Sequence, residues 1–299
     1  MLVAWHECYN HPVPENHKFP MEKYDLVKDQ LLLHGIIELK NIIKPNILDL
    51  KHAFAIHDKE YIKALVNLEL SARAQRESGF EHNQKLIERE LIITEGTRYI
   101  TEMVLTSKSS YAFNIAGGTH HAFKAKPEGF CLINDFAVAA VWALNENHIN
   151  NALILDLDVH QGNGTAEILA NYNQLFTISI HGKNNYPFRK EKSDIDIELI
   201  DNIGDSDYLK TLSAVLNKIP FIPDIIFYQA GVDILASDKL GRLGVTIEGV
   251  KQRDELVFNY ASSINSKIVT TLGGGYSPNI NDIITCHCNT FQTAKDVFE

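Results

Sequence analysis

The sequence predicts an α/β fold in which a parallel sheet is covered on both faces by helices, and three observations predict it. Four apolar runs rich in β-branched residues, at 151–155, 175–180, 224–228 and 267–272, are continuous rather than alternating, as in strands buried on both faces. The stretches 136–146, 206–218 and 247–264 between and beside them read as amphipathic helices, so strand and helix alternate along the chain. The 299 residues, 45% hydrophobic and 22% charged, have the composition of a globular protein long enough to bury most of its apolar surface.

The first hundred residues add helical periodicity at 23–33, 59–74 and 86–105, separated by loops carrying Pro12, Pro14, Pro20 and Pro45. No linker, internal repeat or low-complexity tract divides the sequence, so residues 1–299 are expected to form a single domain.

A formal charge of -10 at pH 7 disfavours a phosphate backbone as a direct ligand. No stretch reaches the roughly 20 apolar residues that cross a bilayer. The start at Met1-Leu2-Val3-Ala4-Trp5 lacks the basic and apolar regions of a secretory signal. A cytoplasmic protein is expected, short of a non-standard export route. Four cysteines make no disulfide framework. Cys286 and Cys288 around His287 lack further ligands at zinc-finger spacing and are read as structural, and Cys131 as a packed side chain.

The chemistry gathers where three strands end. The runs lead into Asp156-Leu157-Asp158-Val159-His160 with Gly162, into Gly231-Val232-Asp233, and into Gly273-Gly274-Gly275-Tyr276. Sites in open α/β sheets lie beyond the carboxyl ends of the strands. Extended backbone has period two, so Asp156, Asp158 and His160 share one side. Two buried aspartates require a cation or firm hydrogen-bond partners. Asp233 completes a set of two oxygen donors and one nitrogen, which suits a catalytic metal site with an open position. Zinc is favoured, and an oxygen-rich set also admits iron(II), manganese or cobalt. An isolated Asp-x-Asp more often caps a turn, but His160 and Asp233 argue against that here. His120 and His121 follow a glycine-marked loop, Phe130 is placed to wall a narrow channel, and the glycines before Tyr276 let its phenol reach inward.

Together these residues resemble the histone-deacetylase family, which includes acetylpolyamine amidohydrolases and acetoin-utilisation proteins. The marks are Gly117-Gly118-Thr119-His120-His121, Gly129-Phe130-Cys131-Leu132-Ile133-Asn134-Asp135, residues 156–164, Ser179-Ile180-His181, Ala230-Gly231-Val232-Asp233 and Gly273-Gly274-Gly275-Tyr276. Residues 14–21, 238–244 and 287–291 resemble the compact class IV branch and its bacterial relatives.

The resemblance implies an arginase-like three-layer α/β/α sandwich with a mainly parallel central sheet. It implies zinc at Asp158, His160 and Asp233, and a structural potassium held by the side chains of Asp156 and Ser179 with carbonyls of Asp158, His160 and Ile180. His121 is implied to move the proton of a water, Tyr276 to donate to the oxyanion, and His120 to act electrostatically beside Asp156. Asn163 stands opposite His121, where several branches carry Asp, which makes His121 less basic. Gly129 and Phe130 match positions lining an acyl-lysine channel, with Tyr186 or Phe188 as the opposite wall.

The implied reaction is removal of acetyl or longer acyl groups from lysine of a protein or peptide. The alternatives are a small acylated amine such as an acetylpolyamine, disfavoured by Leu240 where one such branch has an acid, and a silent acyl-lysine binding module.

Overall fold

The apolar runs become the middle of a sheet. The computed structural model describes residues 1–15, 17–107 and 109–299, so Asn16 of the 14–21 stretch lies outside the described residues. Among the described residues there are eight strands: β1 (Leu2–Ala4), β2 (Ile42–Ile43), β3 (Tyr111–Asn114), β4 (Ala152–Asp156), β5 (Leu175–Gly182), β6 (Ile195–Leu199), β7 (Ile225–Gln229) and β8 (Lys267–Thr271). They form one sheet in the order β2-β1-β3-β8-β7-β4-β5-β6, and every neighbouring pair is parallel. All residues of β3, β4 and β7 are buried, because parallel neighbours need crossovers and the crossover helices cover the faces.

Ten α-helices are described: α1 (Lys23–Leu33), α2 (Leu50–Phe54), α3 (Lys59–Val66), α4 (Ala72–Ser78), α5 (Gln84–Thr106), α6 (Asp135–Asn145), α7 (Asn163–Leu169), α8 (Asp205–Leu216), α9 (Ile247–Ser263) and α10 (Ile280–Phe298). Helices lie on both sides of the sheet. One layer holds α5 against β1, β3 and β8, with α6 beside it and α7 beyond; the other holds α10 between α1 and α9, with α8 next to α9. The sandwich interior is aromatic at two points. Phe113 of β3 stacks on Phe291 of α10 at 3.9 Å, and Phe136 of α6 meets Phe227 of β7 at 5.6 Å.

The one helix expected over 59–74 is two. Leu68 takes a left-handed φ of 62° after α3, and Ser71 starts α4 by accepting a hydrogen bond from the Ala74 amide, so a turn and a fresh N-cap replace continuous helix. Strands β1, β2, β3 and β6 and helices α2, α7 and α10 were not read from the sequence.

The register sets the site. Asn114 pairs with Thr271, Thr271 with Gln229, Gln229 with Asp156, and Asp156 with Ser179. One buried row of polar side chains therefore crosses five strands at their carboxyl ends. From α9, the fully buried Arg253 grips the loop after β7. Its Nη1 donates to the Gly231 carbonyl at 2.5 Å and its Nε to Asp254 at 2.8 Å, while Asp254 also accepts from Tyr228 and Thr290. Arg253→Ala leaves Asp254 buried without its cation and is expected to cost about 3–5 kcal/mol. A lowered urea midpoint at unchanged slope reads this; a cost below about 1 kcal/mol would rule out a buried ion pair acting as a unit.

Candidate active site

Asp156, the last residue of β4, uses both oxygens locally. Oδ1 accepts from the Asp158 amide at 3.1 Å and Oδ2 faces His120 Nδ1 at 2.7 Å. The chain then turns with Leu157 and Val159 packed into the core, which leaves Asp158 and His160 at the site. Asp158 accepts from the His160 amide at 3.0 Å and the Gly274 amide at 2.8 Å, and Asp233 from the Val159 amide at 2.9 Å. His160 Nδ1 lies 3.0 Å from both Asp158 Oδ1 and Asp233 Oδ2. Position 274 must be glycine, because a Cβ there would stand 2.0 Å from Asp233 Oδ2.

One donor atom from each of Asp158, His160 and Asp233 lies within 4.8 Å of the others, and all three residues are buried. Burial opposes ionisation of both carboxyls. The His120 and His160 imidazoles nevertheless hold Asp158 well below the usual range, and Asp158's charge then helps raise Asp233. Burial also opposes the charged form of His160, but the two carboxylates raise it to about 10. Two carboxylates and one imidazole thus face one another in a dry site, and this O, N, O donor set fits a divalent cation.

The loop before the histidines is pinned by Asp135 at the start of α6. Its carboxylate accepts from the Gly118 and Thr119 amides at 3.0 and 2.8 Å and from the Thr97 hydroxyl at 2.6 Å. The His120 and His121 rings are thereby held 4.1 Å apart. Their environments differ. Burial pushes His120 down, but Asp156 outweighs it and the net direction is up. Burial pushes His121 well down, and His120 and His160 add to this, while its Nδ1 meets only the neutral Asn163 Oδ1, at 2.6 Å. Burial raises the Tyr276 phenol well above its usual range, helped by Asp233 and Asp158, so it stays a neutral donor.

A channel of about 450 Å³ opens above this floor, lined by His121, His160, Gly129, Phe130, Tyr186 and Tyr276 among others. Gly129 and Phe130 both have positive φ, 53° and 67°, and a Cβ on Gly129 would meet the His121 ring at 2.6 Å. The two candidates for the opposite wall, Tyr186 and Phe188, sit differently. Tyr186 stands edge-on to His121 at 5.2 Å, while Phe188 projects at the rim, 87% exposed.

Ser179 and Ile180 lie buried in β5, with Ser179 in register beside Asp156 and its hydroxyl 2.9 Å from His181 Nδ1. Cys286, His287 and Cys288 are consecutive, buried residues of α10. Helical side chains one apart diverge by about 100°, and the only cluster among the described residues with the spacing to hold a metal is the one at Asp158. Burial pushes the Cys131 thiol well up, in keeping with a packed side chain.

Sequence reasoning missed three residues that shape the site. Gln229 accepts from Thr271 and donates to the Gly118 carbonyl, both at 2.8 Å. Asp238 fixes the Tyr276 amide at 2.6 Å. Glu128 bonds both Asn163 and Tyr186. A polar residue ending the apolar run at 229 was the available signal; the other two depend on loop paths.

The chain is an all-parallel α/β/α sandwich with this cluster at its strand ends, and the family it matches makes it a deacetylase-type hydrolase. The "Histone deacetylase domain" family model matches residues 17–291, and the chain belongs to that family. It is 35% identical over 298 residues to an uncharacterized protein of a Picosynechococcus species, spanning 99% of both chains. It is 28% identical to histone deacetylase 2 of Arabidopsis thaliana over 87% of this chain and 70% of that one. The crystal structure of the HDA15 HD domain superposes with a TM-score of 0.81 at 22% identity, covering 99% of this chain and 94% of that one.

Because metal must displace the proton that His160 holds to about 10 and, toward lower pH, the one that Asp233 holds to about 7, the apparent affinity for a divalent ion is expected to rise about tenfold per pH unit near pH 8 and more steeply toward 6. Competition titration with a chromophoric chelator measures it. Asp158→Ala and Asp233→Ala should abolish stoichiometric binding; retention in either variant sinks the site.

Proposed function

We propose that the chain is a zinc-dependent hydrolase that removes acetyl or longer acyl groups from the ε-amine of lysine in a protein or peptide. The observation that carries this reading is the convergence of the Asp158, His160, Asp233 set, two histidines of opposed electrostatics and a neutral tyrosine on one aromatic-walled channel. When bound by those three residues, zinc supplies polarisation of the acyl carbonyl and acidification of a water; iron(II) would serve the same donors.

His121 Nδ1 is engaged by Asn163, so its Nε2 is the atom that takes a proton from the attacking water and returns one to the leaving amine. His120, charged beside Asp156, stabilises developing negative charge. Tyr276 donates from its hydroxyl to the oxyanion. Gly129, Phe130 and Tyr186 hold the lysine methylenes, with Phe188 at the rim. Asp156 and Ser179, with carbonyls of Asp158, His160 and Ile180, are the proposed holders of a structural potassium. It would neutralise the second buried aspartate.

The channel mouth argues for acyl-lysine over a polyamine. Lys18, Arg76, Arg242 and Leu240 line it with one carboxylate, Glu77, which already pairs with Arg73, so a second ammonium would meet mostly cations and an apolar side chain. A silent binding module has no need of the complete set of six. The same reading takes residues 1–299 as one domain. It places the enzyme in a cytoplasm, a compartment in which its four cysteines, all free thiols, stay reduced.

The test is hydrolysis of matched acetyl-lysine, long-chain acyl-lysine and acetylpolyamine substrates by zinc-loaded protein. A lysine substrate is expected to turn over best. Tyr276→Phe should lower kcat on the order of 10²–10³-fold, and Asp158→Ala should remove activity. Folded, zinc-loaded protein that hydrolyses no acyl-lysine overturns the reading: turnover of acetylpolyamine alone makes the chain a small-amide amidohydrolase, and turnover of none makes it a binding module.

A further inference from the structure

Glu128 has no part in the roles above, yet three groups converge on it. Its Oε1 accepts from Asn163 Nδ2 at 3.0 Å and from the Tyr186 hydroxyl at 2.5 Å, and its Oε2 pairs with Lys126. An ionised carboxylate can only accept hydrogen bonds. The Asn163 amide must therefore turn its NH₂ toward Glu128, which leaves Oδ1 facing His121 Nδ1 at 2.6 Å and the Gly164 amide at 3.1 Å. That oxygen also only accepts. The His121 proton consequently sits on Nδ1, and the Nε2 lone pair is left to the channel.

We propose that Glu128 is a positioning residue that locks the Asn163 amide and, through it, the tautomer of His121 that can act as a base. The consequence for turnover rests on the deacylase reading; the lock itself does not. With the amide reversed, its NH₂ would face His121 Nδ1, the ring proton would move to Nε2, and the nitrogen in the channel would have no lone pair to offer. An aspartate at 163 needs no lock, since both of its oxygens accept. An asparagine does, and here the carboxylate stands one hydrogen bond further out.

Three features support the lock. Burial disfavours the charge on Glu128, but Lys126, Tyr186 and Asn163 outweigh it and the carboxyl is held below its usual range. Asn163 is itself buried, 2% exposed, so water is poorly placed to replace Glu128 as the partner of its NH₂. Tyr186, edge-on to His121, shares the same oxygen, so channel wall and proton-transfer residue are tied to one carboxylate.

The test is a double-mutant cycle read by histidine side-chain ¹⁵N NMR and by kinetics on zinc-loaded protein. In the Asn163 background, Glu128→Ala is expected to convert His121 from the single Nδ1–H tautomer to a mixture. It should also lower kcat on the order of 10- to 100-fold, the usual loss when an orienting partner is removed. In an Asn163→Asp background, where Glu128 would face a second carboxylate across the contact that is 3.0 Å in the native chain, the same change removes a repulsion, so it should leave the Nδ1–H tautomer single and should not lower kcat. Equal losses in both backgrounds, or an unshifted tautomer in the single variant, overturn the proposal. If Glu128→Ala does not fold, Glu128→Met, which fills the same space without accepting, runs the same cycle. If wild-type protein turns over no acyl-lysine, the deacylase reading fails while the spectra still decide the lock.

Discussion

The structure depends on burying negative charge where parallel strands end. Carboxyl ends of parallel strands collect loops on one edge, and here the row Asn114, Thr271, Gln229, Asp156 and Ser179 puts polar groups in the layer where the sheet is deepest. Each buried polar atom left without a partner costs about 1–3 kcal/mol, so the loops must supply partners. Gln229 bridges Thr271 to the Gly118 carbonyl, Asp135 collects the amides of Gly118 and Thr119, and Arg253 takes the carbonyls of Ala230 and Gly231. The loops that carry His120, His121 and Asp233 are thus fixed by the satisfaction of buried groups, without regular secondary structure of their own. The three carboxylates Asp156, Asp158 and Asp233 remain in excess of their imidazole and amide partners, and a cation is what that surplus calls for.

The same economy separates two histidines that are neighbours in sequence. Both are buried, and burial disfavours the imidazolium in each. The carboxylate 2.7 Å from His120 outweighs burial, whereas the neutral amide oxygen 2.6 Å from His121 favours its charged form too weakly to offset burial and the neighbouring His120 and His160. One pair of adjacent side chains then provides a fixed positive charge and a neutral imidazole able to move a proton. Neither property belongs to the residue type; each depends on whether the group facing Nδ1 carries enough charge to offset burial.

Much of this was legible in the sequence, and the parts that were not have physical reasons. Strands β4, β5, β7 and β8 were visible because burial on both faces makes their residues mostly apolar or β-branched. Strands β1 and β2 are three and two residues long, too short for any period, and β6, at an edge, reads Ile-Asp-Ile-Glu-Leu, an alternation that only its one partner β5 explains. Helix α10 was obscured by its Cys286-His287-Cys288 run, which drew the eye to chemistry although those residues are packed in the core. The residues at 156–160 announced themselves by spacing on one element. Glu128 and Asp238 did not, because each works through a partner 35 or more residues away, a distance that only the folded loops close.

The channel wall shows how strain is held at such a site. Phe130 adopts φ of 67°, a conformation that costs a non-glycine residue about 1–3 kcal/mol. Its ring lies within 5.4 to 5.5 Å of Phe80, His17 and Phe19 and 6.2 Å from Tyr276. Aromatic pairs contribute about 0.5–1.5 kcal/mol each beyond the area they bury, so three or four of them outweigh the strain. The backbone gains from this as well: the Gly129 and Phe130 amides donate to the Glu77 and Ser78 carbonyls at the end of α4, and the ring is aimed across the channel toward Tyr276. Gly79, left-handed at φ 77°, stops α4 and leaves its last carbonyls free to receive them, so a helix end beyond the periodicity of residues 59–74 is what sets one wall of the channel.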